Sequence, residues 1–140
     1  MRRRLTVAAL GAAVALGLAI APTAVGSPPG LDLHVESARL GPGGSVIVSG
    51  TIQCPEGYQY GVSPTVRQRS GGKRYNQASD FGGLSGTCSG GIDTWFTNPL
   101  FGDGPFHARE AVVDAFGGVC DPEFFECAQA RDIEELRISK

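Results

Sequence analysis

Two histidines, His34 and His107, are the side chains that could act as a general base for nucleophilic catalysis near neutral pH. A serine hydrolase would need one of them beside an activated serine. The sequence has no G-x-S-x-G motif, which would hold such a serine on a sharp turn. The candidate serines lie in predicted strands or glycine-rich turns: Ser45, Ser49, Ser85 and Ser89. We therefore predict that the chain is not an enzyme, and we assign no catalytic residue.

Carboxylates are the second group that could do chemistry. Asp121, Glu123 and Glu126 are close enough in sequence to bind calcium, but the D-x-D-x-D-G pattern of a calcium loop is missing. Carboxylate pairs such as Glu134 with Glu135 could hydrolyse glycosides only if the fold set two carboxyl groups at a fixed separation in a cleft. A solvated acidic surface accounts for these residues without a cleft, so we predict no metal site and no cofactor.

Adjacent phenylalanines, Phe124 and Phe125, give the strongest indication of a binding site. Two neighbouring residues of a strand point to opposite faces, so both rings cannot enter the core. They lie in a short segment between Cys120 and Cys127. A disulfide-closed loop that displays an aromatic ring would lower the ordering cost of binding. The alternative is that one ring folds back over the end of the domain.

The other aromatic residues are predicted to be mainly structural. A domain of this size needs bulky side chains in its core, and Trp95, Phe106 and Tyr60 are the best candidates. An apolar cleft between the sheets would instead indicate a carrier of small ligands. Its predicted lining is Trp95, Phe96, Phe101 and Phe116.

The first residues are typical of an export signal. Three arginines at positions 2–4 precede an uncharged apolar run over 5–21, followed by small residues and prolines. We predict a signal-peptide helix in residues 1–26, cleavage after Gly26, a short flexible tail at 27–30 and one domain at 31–140. A retained membrane anchor is the alternative. No later apolar run is long enough to span a bilayer, so we expect a secreted protein without a membrane span after cleavage.

Charge argues against nucleic-acid binding. Removing the three signal arginines from the 12 basic residues leaves 9 against 14 acidic residues, a net charge of −5. A negatively charged surface repels phosphate backbones, from which nucleic-acid binding draws most of its affinity.

Alternating apolar and polar residues predict strands joined by glycine- and proline-rich turns. Pro64 cannot donate a ladder hydrogen bond, so its strand is expected at a sheet edge or at a bulge. Residues 128–139 suit either a strand or a helix, and we favour a strand. The seven predicted strands cover residues 31–36, 45–54, 58–69, a weak stretch ending at 88, 92–100, 107–117 and 128–139. This spacing is typical of a two-sheet sandwich.

The strand motifs resemble a known group of proteins. The resemblance rests on the following segments: Val46-Ile47-Val48-Ser49-Gly50-Thr51-Ile52-Gln53-Cys54, Val66-Arg67-Gln68, Cys88-Ser89-Gly90 with Trp95, Gly104-Pro105-Phe106, Ala111-Val112-Val113 and Cys120. The resemblance is to small secreted immunoglobulin-like proteins of Gram-positive bacteria, and it implies a fold rather than an activity. The overall architecture is more distantly similar to that of the neocarzinostatin-type apoproteins. These are sandwiches with two disulfides that carry an enediyne chromophore in a cleft. Cys54 and Cys88 lie farther apart in the sequence than the paired cysteines of those apoproteins.

Four cysteines in an exported small domain predict two disulfides. No C-x-x-C pair is present, which argues against zinc. Three pairings are possible and the sequence cannot choose between them. We favour Cys54–Cys88 with Cys120–Cys127, because a hairpin end could close the shorter pair. The alternative, Cys54–Cys120, would imitate the inter-sheet bridge of antibody domains near Trp95.

We therefore predict one fold and one role for the mature chain. The mature chain is an all-β, seven-stranded immunoglobulin-like sandwich with two disulfides, acting as a secreted, non-enzymatic binding or structural module. Its predicted binding residues are Phe124 and Phe125 with their acidic neighbours Asp121, Glu123 and Glu126. The expected partner is an extracellular protein or a small apolar ligand. A neocarzinostatin-type ligand carrier is the first alternative, and a secreted hydrolase is the last.

Overall fold

The computed structural model describes residues 30–80 and 83–140, so the predicted signal peptide (1–26) and most of the predicted tail lie outside the described residues. The described residues are all-β with one short 3₁₀ turn, Pro42–Gly44, and no α-helix. The strands are β1 (Asp32–Leu40), β2 (Val46–Gln53), β3 (Gln59–Gly71), β4 (Arg74–Ser79), β5 (Leu84–Thr87), β6 (Ile92–Phe96), β7 (Glu110–Cys120) and β8 (Cys127–Arg137). In this part of the chain, no helix is long and apolar enough to span a bilayer.

The strands form two sheets around one core. The three-stranded sheet has the order β1-β2-β6, and the five-stranded sheet has the order β4-β3-β7-β8, with β5 also paired to β3. Along β2 and β7, alternate residues face inward, as the sequence pattern predicts. The fully buried side chains come from both sheets, among them Val48 and Ile52 from β2, Val66 from β3 and Val113 from β7. The predicted all-β, two-sheet architecture is therefore confirmed.

The described residues contain eight strands, where seven were predicted. The stretch predicted as one weak strand ending at Cys88 contains two, β4 and β5, which pair with different parts of β3. Neither position predicted for Pro64, a sheet edge or a bulge, is found, because β3 pairs on both sides and its register with β7 runs through Pro64 without a shift. Pro64 lies between Val62, where the β5 ladder ends, and Thr65, where the β4 ladder begins. The missing N–H therefore costs no ladder hydrogen bond.

The connection over residues 97–109 is held by two buried side-chain amides. The Gln68 amide donates to the carbonyl of His107 (2.8 Å) and accepts from its N–H (2.8 Å). The Asn76 amide likewise donates to the Gly104 carbonyl (2.7 Å) and accepts from the Gly104 N–H (3.0 Å). Strand β7 therefore begins at Glu110 rather than at the predicted His107, because Gln68 takes up the backbone groups of His107.

The free edge of β1 is covered by the C-terminal part of the chain. Residues 128–139 form mainly a strand, which the sequence favoured over a helix. The Asp132 carboxylate accepts a hydrogen bond from the Val35 N–H (2.7 Å) beside a bulge in β1. Farther along, Leu40 N–H donates to the Ser139 carbonyl (2.8 Å), and Ser139 N–H donates to the Ala38 carbonyl (2.9 Å). The intervening Ile138 is fully buried. These contacts join the two sheets along one side.

Both disulfides follow the favoured pairing, Cys54–Cys88 and Cys120–Cys127. The alternative bridge between Cys54 and Cys120 is therefore excluded. Gln59 on β3 is opposite both Cys120 and Thr87, the neighbour of Cys88. The two disulfides consequently stabilise the same end of the molecule.

Candidate functional site

The hairpin loop 121–126 between β7 and β8, which we call the aromatic loop, is tightly closed. Cys120 and Cys127 are cross-strand partners and are joined by a disulfide. Asp121 N–H donates to the Glu126 carbonyl (2.9 Å), and Phe124 N–H donates to the Asp121 carbonyl (3.0 Å). The Asp121 carboxylate also accepts from Glu126 N–H (3.1 Å). The loop is thus fixed by a covalent bond and by three backbone donors.

Both phenylalanine rings of the aromatic loop point to solvent. Phe124 is 63% exposed and Phe125 is 83% exposed. Neither ring folds back over the end of the domain, so the alternative that the sequence left open is excluded. Phe124 has φ 60°, the single positive φ at a non-glycine residue in the described part of the chain. Such backbone strain is uncommon for a bulky residue and often accompanies function.

The acidic neighbours in the aromatic loop differ in exposure. Asp121 is half-buried, and Glu123 and Glu126 are exposed. Within residues 30–80 and 83–140, no three side chains of His, Cys, Asp or Glu converge as metal ligands would. These carboxylates therefore give the surface around the two phenylalanine rings a negative charge.

An apolar cleft of about 430 Å³ lies beside the aromatic loop, with Glu126 in its wall. Its remaining lining comes from four separate segments: Leu31, Pro55 with Tyr58, Val119, and Cys127 with Ala128. We call this the end cleft. Sequence reasoning missed it because its residues meet only when the starts of β1, β3 and β8 and the end of β7 come together. No local motif marks it.

The predicted inter-sheet cleft is wrong. Trp95 and Phe106 are buried in the core, as expected, but Phe96, Phe101 and Phe116 are 69%, 66% and 45% exposed. These three residues therefore cannot line an enclosed cavity with Trp95.

Tyr60, the third predicted core aromatic, is half-buried and packs against the core. Its ring lies directly over Gly86, where a Cβ would collide with it. Burial, and secondarily the charge of Asp93, raise the pKa of Tyr60. Its phenol is therefore neutral at physiological pH.

Among the described residues, no serine hydroxyl is hydrogen-bonded to either histidine ring. His34 lies on the exposed face of β1, and its Nε2 is 3.0 Å from Asp32 Oδ2. His107 is tied by its backbone to Gln68. Three of the candidate serines have other hydroxyl partners: Ser45 donates to the Pro42 carbonyl, Ser49 shares a hydrogen bond with Ser37, and Ser89 accepts from the Gly91 N–H.

A paired carboxylate lies on the outer face of the five-stranded sheet. Arg131 donates to both carboxylate oxygens of Asp114, at 2.8 and 2.6 Å. These hydrogen bonds lower the pKa of the Asp114 carboxyl. Because the folded-state pKa is lowered, the pair stabilises the fold above the usual aspartate pKa, and this contribution is lost as the pH falls through the lowered value. This pairing makes Asp114 a structural group.

Comparison with known proteins finds no matching protein family, no matching curated protein and no matching solved structure. Any statement about function therefore depends on the chemistry of the described surfaces.

Proposed function

We propose that the mature chain is a secreted, non-enzymatic binding module that engages an extracellular protein partner through Phe124 and Phe125. The observation that carries this proposal is the exposure of both rings, 63% and 83%, on a hairpin closed by a disulfide. Exposed aromatic rings bury large apolar areas on binding and are frequent binding hot spots. Because the loop is already ordered, little conformational entropy is lost on association. Asp121, Glu123 and Glu126 would select a partner with basic groups around an apolar pocket.

We further infer that the domain is immunoglobulin-like. The order β1-β2-β6 corresponds to strands A, B and E of such a domain, and β3-β7-β8 corresponds to strands C, F and G. In that arrangement the aromatic loop is the connection between F and G, at an end where immunoglobulin domains place binding loops. The two disulfides support an oxidising, extracellular location.

The double variant Phe124→Ala/Phe125→Ala tests the binding site. Because both rings are exposed, we expect its melting temperature to stay within a few degrees of wild type. Immobilised wild-type domain should retain a specific protein from the culture filtrate or envelope fraction of the producing cells, and the loop variant should not. Quantitative mass spectrometry of the retained proteins measures the difference.

Phe96→Ala/Phe101→Ala is the matched control, because it removes two rings of similar exposure from outside the loop. This variant should retain the same protein as wild type. Equal retention by the loop variant, or equal loss in both variants, would contradict a binding site at the aromatic loop.

A second candidate function, carriage of a small apolar ligand, is favoured by the end cleft. Its volume of about 430 Å³ is within the range of small-molecule sites, and its lining is mainly apolar. The cleft adjoins the aromatic loop, so a ligand there could also contact Phe124 or Phe125. This location differs from the inter-sheet cleft predicted for a neocarzinostatin-type carrier.

An anilinonaphthalene sulfonate dye tests the carrier function. Its fluorescence should rise on binding to the wild type, because the dye would leave water for an apolar site. The substitution Ala128→Trp fills the end cleft from its rim and should abolish the rise. Phe96→Ser, which removes an exposed ring elsewhere, should not. A rise of equal size in Ala128→Trp, or no rise in the wild type, would exclude this function.

A further inference from the structure

Arginine side chains cluster on the outer face of the five-stranded sheet, at the end remote from the aromatic loop. Two shallow depressions of about 340 and 450 Å³ share Arg67, Tyr75 and Val112. A third adjoins them and contains Arg69, Arg109, Glu110 and Arg137. We call this continuous surface the arginine groove, and Glu135 completes its wall.

Strand register explains why these side chains share one face. Arg67 on β3 is opposite Gln77 on β4 and Val112 on β7, and Val112 is opposite Glu135 on β8. In the next outward-facing row, Arg69 is opposite Tyr75, and Glu110 is opposite Arg137. A single sheet face therefore presents arginines in two successive rows with an exposed tyrosine and valine among them.

The arginines of the groove outnumber the carboxylates that line it. Arg137 is 3.6 Å from Glu110, whereas Arg67, Arg69 and Arg109 form no ion pair with a described carboxylate. The Arg67 guanidinium is positioned by a hydrogen bond from its Nε to the Gln77 amide oxygen (3.0 Å). Four arginines face two glutamates here, although the mature chain carries a net charge of −5. The groove is thus a positive site on a negative protein.

We propose that the arginine groove is a second binding surface, which takes an acidic polypeptide segment in extended conformation. Arg67 and Arg69 alternate on one strand, so their Cβ atoms repeat roughly every 7 Å. Alternate carboxylates of an extended peptide repeat at the same distance. Arginine also binds carboxylates in a two-pronged geometry, which favours them as ligands. Tyr75 and Val112 would contact the apolar parts of the same peptide.

The two glutamates argue for a peptide rather than a uniform polyanion. Glu110 and Glu135 lie within the groove, where a polymer with a phosphate or sulfate on every unit would place negative charge against them. Such like-charge contacts reduce affinity and exclude wrong partners. A peptide can present uncharged residues or N–H donors to these glutamates. The pattern of mixed charge thereby selects for alternating acidic side chains.

A fluorescein-labelled peptide of four Glu-Thr repeats is a suitable probe. Its fluorescence anisotropy should rise to saturation with wild-type protein, and the affinity should fall with added NaCl because salt screens surface charges. Arg67→Gln/Arg69→Gln should weaken binding about tenfold or more. Arg39→Gln/Lys140→Gln removes the same charge from residues that do not line the groove, and it should change the affinity by less than about twofold. All four positions are exposed, so urea unfolding should confirm that both variants fold.

Three results would overturn the proposal: no saturable binding to wild type, equal weakening in the two double variants, or equal binding of a Gln-Thr control peptide. A heparin fragment or polyphosphate that displaces the peptide and binds more tightly would identify the groove as a polyanion site instead. None of these measurements involves Phe124 or Phe125, so failure here is separate from failure of the aromatic loop.

Discussion

Replacing Cys54 and Cys88 together with alanine should lower the free energy of unfolding by about 4 kcal/mol, as expected for a loop of this length in the chain-entropy account. The two cysteines are 34 residues apart. Cys54 follows β2 in the three-stranded sheet and Cys88 follows β5 in the five-stranded sheet, so their bond is a covalent link between the sheets. Urea unfolding of wild type and variant under non-reducing conditions measures the loss. A small domain has little stability beyond this amount.

Removal of the second disulfide provides the comparison. Cys120→Ala/Cys127→Ala opens a bond across only 7 residues, and the same account gives about 2.5 kcal/mol. In addition, β7 and β8 are paired along their whole length, so we expect their backbone ladder to hold them together without it. A larger loss for the Cys120 and Cys127 variant than for the Cys54 and Cys88 variant would show that the link between the sheets is not the principal constraint.

Substitution of Gly50 by alanine should destabilise the domain by about 3 kcal/mol, at the upper end of what overpacking of a core costs. Gly50 lies in β2 between β1 and β6, opposite Val35 and Trp95. A Cβ at this position would collide with the His34 carbonyl and with the Trp95 ring. The ring is buried and held by a hydrogen bond from its Nε1 to the Thr51 carbonyl (3.1 Å), so it cannot move away cheaply. Thermal unfolding should show a midpoint lower by roughly 10 °C or more.

Gly118→Ala is the matched control for this substitution. Gly118 also lies within a strand, β7, but a Cβ there would meet nothing within 4 Å. Alanine should therefore be neutral or slightly stabilising, since it lowers the entropy of the unfolded chain. A similar loss at both positions would mean that backbone preference in strands, rather than contact with Trp95, explains the requirement for glycine.

Local sequence patterns predicted the parts of the fold that local physics controls. The alternation in 46–54 correctly assigned the buried face, because burial on one side of a sheet imposes a period of two. The loop between Cys120 and Cys127 was correctly predicted as a hairpin end, because a tight turn and a short cysteine spacing agree there. The exposure of Phe124 and Phe125 remained undecided until the loop geometry was known.

Long-range pairing accounts for what the sequence did not predict. β4 and β5 are separate strands because each pairs with a different part of the same side of β3. Pro64 is tolerated only because it lies between these two parts. The end cleft draws its lining from segments far apart in the chain. Only one feature of the arginine groove is visible in the local sequence, namely the alternation of Arg67 and Arg69 on β3. Its remaining arginines come from 109 and 137, and sequence spacing cannot show that they lie close to these two.

The contacts between β1 and residues 132–139 also have a kinetic consequence. During synthesis β1 emerges about a hundred residues before the segment that covers its edge, as the separation of 97 between Val35 and Asp132 shows. Until that segment arrives, the backbone groups of the first strand are open to any other extended chain. Pairing across such separations is also slow. The chain is therefore most vulnerable to aggregation just before its last strand docks.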